Sequence, residues 1–171
     1  MRRTTAGLIA GLTLTAGMAI APAASQAGGE AYQPPKIAWV HSAYTHGATA
    51  TVQSKYRCFG GNENTHLWVS LKQGRKISAM TLSELAQAEG TSQIARAWYD
   101  NNVPEGRQDN ALNCDGTWNI QTYTVAREKG HMRAGKAYLQ FCLFDSTANP
   151  NPAEDPGPGF VYKYKFMRVH R

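Results

Sequence analysis

The chain has 171 residues, 42% hydrophobic and 18% charged, with a formal net charge of +6, a length that fits one domain with a respectable core. The basic excess is modest and dispersed, which argues against a nucleic-acid binder. Beyond the N-terminal stretch no apolar run reaches membrane length.

In chain order, Met1, Arg2 and Arg3 precede an apolar stretch from Ala6 to Ala21, followed by Ala23-Ala24-Ser25-Gln26-Ala27. These are the n-region, h-region and small-residue cleavage site of a secretory signal peptide. The apolar run is broken by Thr13, Thr15 and several glycines and falls short of the ~20 residues that span a bilayer. Residues 1–27 are therefore expected to be removed after Ala27, by general secretion, since no polar-aromatic motif follows the arginine pair. Without Arg2 and Arg3 the net charge falls from +6 to about +4. Residues 28–35 read as a flexible lead-in, and residues 36–171 as the folded domain.

From Lys36 onward the pattern alternates at period two, with β-branched and aromatic residues between clusters of Gly, Asn, Asp and Pro, the signature of strands. The expected strands are Lys36 to Ser42, Ala48 to Cys58, His66 to Lys72, Ala95 to Tyr99, Thr117 to Ala126, Lys136 to Phe144 and Phe160 to Phe166. In the second, Ala48, Ala50, Val52, Tyr56 and Cys58 share a core face. In the sixth, Leu139, Phe141 and Leu143 make the core face, and Tyr138, Cys142 and Phe144 an outer apolar set that needs a cover. The last places Phe160, Tyr162, Tyr164 and Phe166 on one side and Lys163 and Lys165 on the other, as a closing or edge strand guarded by lysines. Thr81-Leu82-Ser83-Glu84 matches a helix capping box, and one short helix is expected before Gly90. Loops are expected at 60–64, 101–110 and in the proline-rich 147–159. About seven short strands point to an immunoglobulin-like antiparallel β-sandwich with one short inserted helix, with an open barrel as the alternative.

Three cysteines occur, Cys58, Cys114 and Cys142, and an oxidising compartment normally pairs two of them. Cys58 ends one strand on its core face, and Cys114 stands at a matching strand start before Asp115-Gly116. This favours a Cys58 to Cys114 disulfide, leaving Cys142 free or available for an intermolecular bridge. The competing pairing joins Cys58 to Cys142, bridging two sheets as the immunoglobulin disulfide does.

Tyr56-Arg57-Cys58, the stretch Leu67 to Gln73, Cys114-Asp115-Gly116 and Gly135-Lys136-Ala137, in that order, resemble a family of small secreted immunoglobulin-like proteins of high-GC Gram-positive bacteria. The resemblance runs from about Gly47 to the end. It implies a fold and an extracellular location, with no shared catalytic residue and a largely unassigned function. The helix from Thr81 to Gly90 and the third cysteine look like additions to the family pattern.

Signs of enzyme or cofactor chemistry are sparse. No Gly-x-Ser-x-Gly elbow, His-Glu-x-x-His helix or phosphate-cradling glycine loop is present. No Cys or carboxylate stands at ligand spacing beside His41 or His46. The loop from Asp100 to Asn110 lacks the alternating ligands of a calcium loop. Asp145, Glu154 and Asp155 flank a proline-rich loop unsuited to fixed carboxylate spacing. No metal and no cofactor are expected.

Aromatic residues remain, and they can stack on sugars or anchor an interface. Trp68 is the best candidate, because Leu67, Val69 and Leu71 fill the core face of its strand; Trp118 follows a turn and suits either place. The expectation is a secreted, non-enzymatic binding module, an accessory or adaptor subunit of an extracellular, toxin-like protein assembly. Its contacts would come from Trp68, Trp118, Tyr138 and Phe144, and the lead-in could add a strand to a partner's sheet edge. The alternative is a lectin-like or cell-wall-binding module using Trp68, Trp118, Lys163 and Lys165 on a glycan.

Overall fold

The computed structural model describes residues 32–59, 65–102, 111–146 and 159–171. The expected signal peptide, the first part of the lead-in and most of the three expected loops lie outside these residues.

The alternation in the sequence becomes seven strands: β1 (Lys36–His46), β2 (Thr49–Arg57), β3 (Thr65–Gln73), β4 (Ala97–Asp100), β5 (Asn119–Lys129), β6 (Gly135–Asp145) and β7 (Phe160–His170). β2 shows the period most clearly. Ala50, Val52, Ser54 and Tyr56 are buried, and the residues between them are half-buried, as a strand with one face on the core requires. Gly47, at φ 78°, supplies the positive φ that a two-residue turn between β1 and β2 needs.

The strand order is β1-β2-β5-β4-β3-β6-β7, closed into a barrel. The immunoglobulin-like sandwich expected from the strand count is thus corrected to a single closed sheet; the all-β class stands. Every neighbouring pair is antiparallel except β1 and β7, which are parallel and in register only at Ala43 with Val169 and Tyr44 with His170. An odd number of strands cannot close with antiparallel pairs alone, so one parallel seam is a geometric necessity. Register shifts in β1 between Ile37 and Trp39 and between His41 and Ala43 bend it toward closure, the usual work of bulges in barrels.

The barrel interior is filled by side chains from every strand, among them Val40, Val52, Tyr56, Val69, Leu71, Tyr99, Tyr123, Leu139, Phe141 and Val169, all 0% exposed. β7 is a closing strand, not an edge. Its lysines share a face with this interior, since Lys165 stands opposite Leu139 and Lys163 opposite Phe141. They fall where β7 has no registered partner on β1, and Lys165 Nζ bridges that gap by donating to the Val40 carbonyl at 3.1 Å.

Between β3 and β4 run three short helices where one was expected: α1 (Arg75–Ala79), α2 (Leu82–Gln87) and α3 (Thr91–Ile94). The capping box is formed: the Thr81 hydroxyl accepts from the Glu84 amide while the Glu84 carboxylate accepts from the Thr81 amide, which serves two otherwise unpaired donors. The helices cover part of the barrel's outer surface through a second apolar cluster of Ile77, Leu85, Ala95 and Tyr138, with Met80, Ile94, Trp98, Tyr164 and Phe166 packed against it. Gly130 allows the close approach that seats the end of β5 against β4. A Cβ there would lie 2.1 Å from the Arg96 carbonyl oxygen, and its φ is +57°.

The disulfide joins Cys58 to Cys114, with the Gly116 amide donating to the Cys58 carbonyl at 2.9 Å beside it. Cys142 is free and buried. Of the lead-in, Pro35 is buried, and burial, followed by the charge of Asp145 at the end of β6 and a hydrogen bond to it, raises the pKa of the Tyr32 phenol.

Candidate functional site

Residues directly opposite each other on neighbouring strands share a face, so the registers fix what the outer surface of β4, β3, β6 and β7 displays. Four rows cross these strands. The first holds Trp98, Lys72, Tyr138 and Phe166; the second Asp100, Ser70, Gln140 and Tyr164; the third Trp68, Cys142 and Tyr162; the fourth His66, Phe144 and Phe160. An outward face this aromatic is unusual for a surface that meets only water.

The first two rows are closed over by the helices and knitted by polar bonds. Asp100, 1% exposed, accepts at Oδ2 from the indole N–H of Trp68 at 2.9 Å and of Trp98 at 3.3 Å, and at Oδ1 from the Asn102 amide at 2.8 Å. Trp98 also donates to Ser70 Oγ at 3.1 Å. Lys72, 3% exposed, donates to Thr91 Oγ1 at 2.7 Å and Gln140 Oε1 at 2.6 Å. Its ammonium lies 5.6 Å from the Trp68 ring centre and 5.9 Å from that of Trp98, within cation–π range. Burial pushes the Lys72 ammonium down to about 8, with the Asp100 charge opposing. The bond to Thr91 ties α3 to the barrel wall together with Lys129 Nζ of β5, which donates to the Gln93 carbonyl at 2.9 Å and the Ser92 carbonyl at 3.5 Å.

Rows three and four lie beyond the helices. Cys142, 2% exposed, sits between Trp68 and Tyr162, and burial pushes its thiol up to about 12. A thiol so protonated is a poor nucleophile at neutral pH. Around it the rings form a continuous ladder. His66 stacks on Phe144 at 4.8 Å and Phe144 on Phe160 at 5.6 Å; Phe160 meets Tyr162 at 4.2 Å, and Tyr162 meets Tyr164 at 5.3 Å. Tyr164 continues to Tyr138 at 6.3 Å, and Tyr138 to Phe166 at 6.2 Å, under the helices. Tyr162 stays 39% exposed. Burial, with the neighbouring Cys142, raises its phenol to about 12.

Of the residues singled out in the sequence, Trp68, Tyr138, Phe144 and Cys142 come together here. Tyr138 is wholly buried, its hydroxyl without a hydrogen-bond partner among the described residues, so it supports the face and does not present it. Trp118 lies elsewhere, beside Lys55 and Arg57 of β2. Lys163 and Lys165 belong to the seam. Sequence reasoning missed Lys72, Trp98 and Asp100 as one network, and Phe160, Tyr162 and Tyr164 as its outer continuation. The signal present was parity: Trp68, Ser70 and Lys72 are two apart on one strand, opposite the core residues.

Among the described residues no group of three or more His, Cys, Asp or Glu could hold a metal, and no described helix is long and apolar enough to cross a membrane. In comparisons with known protein families, curated proteins and solved structures, the chain matches none.

Proposed function

We propose that the protein is a secreted, non-catalytic binding module whose outer face from His66 through Phe144 and Phe160 to Tyr162 docks a protein partner, as an accessory or adaptor subunit of an extracellular assembly. The ring ladder carries this reading: it runs past the edge of the helical cover onto open surface, with Tyr162 39% exposed over a buried thiol. Tyrosine and tryptophan surrounded by apolar neighbours are the residues that dominate protein interfaces.

The stacking geometry favours a protein over a glycan. A sugar ring stacks on an open aromatic face, yet Phe144 and Phe160 lie at 10° to each other and the next two ring pairs at 35° and 34°. The faces are largely spent on neighbouring rings. Trp68 is committed in the same way, its N–H to Asp100 and its ring to Lys72. The Cys58–Cys114 disulfide is consistent with an extracellular location. The resemblance to small secreted immunoglobulin-like proteins bears on compartment in the same direction, while the closed barrel departs from the sandwich it implies.

A photo-crosslinking residue at position 162 of the full chain, in the cells that produce it, tests this reading. The expected result is one stoichiometric protein adduct, lost when Phe160→Glu places a charge in the ladder. A monomer that forms no adduct, or adducts unchanged by Phe160→Glu, would overturn it.

A further inference from the structure

The other arc of the barrel carries a second, differently built surface. At the disulfide end of β2, the Arg57 guanidinium carbon lies 4.9 Å from the Phe59 ring centre and 5.2 Å from that of Trp118, with Lys55 Nζ 5.7 Å from the same Trp118 ring. Arg57 Nε is buried with no hydrogen-bond partner among the described residues. Directly opposite Arg57 on β1 stands Lys36, a like-charge cross-strand pair of the kind that weakens a sheet. Among the described residues, the carboxylate nearest Trp118 in sequence, Asp115, is taken up by Thr117, accepting from its hydroxyl at 2.6 Å and its amide at 2.8 Å; these bonds hold its pKa below the usual carboxylate range. Beside the cations, Trp118 is 43% exposed and Ile120, opposite Lys55, is 60% exposed.

We infer that this rim binds an acidic peptide segment, a carboxylate seated on the Arg57 fork between Lys36 and Lys55 and an apolar neighbour lying on Trp118 and Ile120. A guanidinium already held between two rings loses little freedom when it takes a bidentate carboxylate. The occupant is a peptide and not an acidic glycan because Ile120 offers neither a hydrogen bond nor a π face to a sugar, whereas an aliphatic side chain gains from covering it. This surface is separate from the ring ladder, so either site can fail alone.

The test follows the Arg57 Nε–H and Trp118 indole signals by nitrogen-15 NMR in the full, disulfide-bonded chain. The titrant is a capped peptide alternating glutamate with valine, compared with the same peptide carrying glutamine and with polygalacturonate. Expected are saturable shifts of both signals with the glutamate peptide and none with the glutamine peptide. Arg57→Gln should weaken binding about tenfold, Arg57→Lys should recover part of the loss, and Arg168→Gln should leave binding unchanged. Shifts that do not saturate, equal weakening by Arg168→Gln, or saturable shifts with polygalacturonate alone would overturn the assignment.

Discussion

The Trp68 indole donates to Asp100 Oδ2 at 2.9 Å across the β3–β4 sheet, and Trp98 donates to the same oxygen at 3.3 Å. One buried carboxylate thereby fixes two large rings and shares their enclosure with Lys72. Asp100→Asn keeps the shape but removes the charge that both indoles address and that raises the Lys72 pKa. It is expected to cost about 2 kcal/mol in urea unfolding and to move the Lys72 titration below its present value of about 8, read by NMR of the Lys72 side chain.

Lys72 itself should impose a pH dependence. Unfolded, it holds its proton up to about its ordinary 10.5; folded, it releases it near 8. Between those values the unfolded state binds more protons, so stability rises with pH, by about 3 kcal/mol in full. The Cys142 thiol, pushed up from 9.0 to about 12, opposes this above about pH 9, and Tyr123, Tyr138 and Tyr162, all raised from 10.0, oppose it above about pH 10. Urea titrations between pH 8 and 9, below the range where Cys142 opposes, should therefore show a rise in the wild type that Lys72→Met abolishes; a rise persisting in the variant would assign it to another group.

Cys142 should behave as an inert thiol. At 2% exposure and with its pKa near 12, it should not react with an aromatic disulfide reagent in the native protein at neutral pH, yet titrate as one equivalent per chain in denaturant. Rapid native labelling would show that the Trp68 and Tyr162 rings open on the timescale of the assay.

The Cys58–Cys114 disulfide spans 56 positions, which in the loop-entropy account contributes about 4 kcal/mol. The Cys58→Ser, Cys114→Ser double variant should lose about that much in denaturant unfolding. Since Gly116 donates to the Cys58 carbonyl and Phe59 lies beside Gly116, amide protection should fall first at residues 113–119.

The seven strands were legible from local patterns, period two in most and a nearly continuous apolar run in β6; Ala50, Val52 and Tyr56 announce an inner face without reference to any other strand. The barrel was not, because a strand in a sandwich and a strand in a barrel alternate alike. What separates them is register and the bulges of β1 at Ile37 to Trp39 and His41 to Ala43, which composition does not encode. Tyr138, Cys142 and Phe144 could be read as an outward apolar set from the parity of β6. Their union with Phe160 and Tyr162 needed the β6–β7 pairing. The Lys72 network was hidden for another reason: a lysine in an alternating strand reads as solvated, and only the fold of α3 brings Thr91 to it. The lysines of β7 left the strand open between a closing and an edge position, and only its pairing with β1 decides for closing.

The parallel seam has one further consequence. The contacts that turn an open sheet into a barrel are made between residues 43–44 and residues 169–170, so closure involves nearly the largest sequence separation in the described fold. Such contacts are slow to form. A chain emerging N-terminus first holds β1 with one bare edge until the last strand arrives, and a chain cut short before Val169 would keep it, available to pair with another copy.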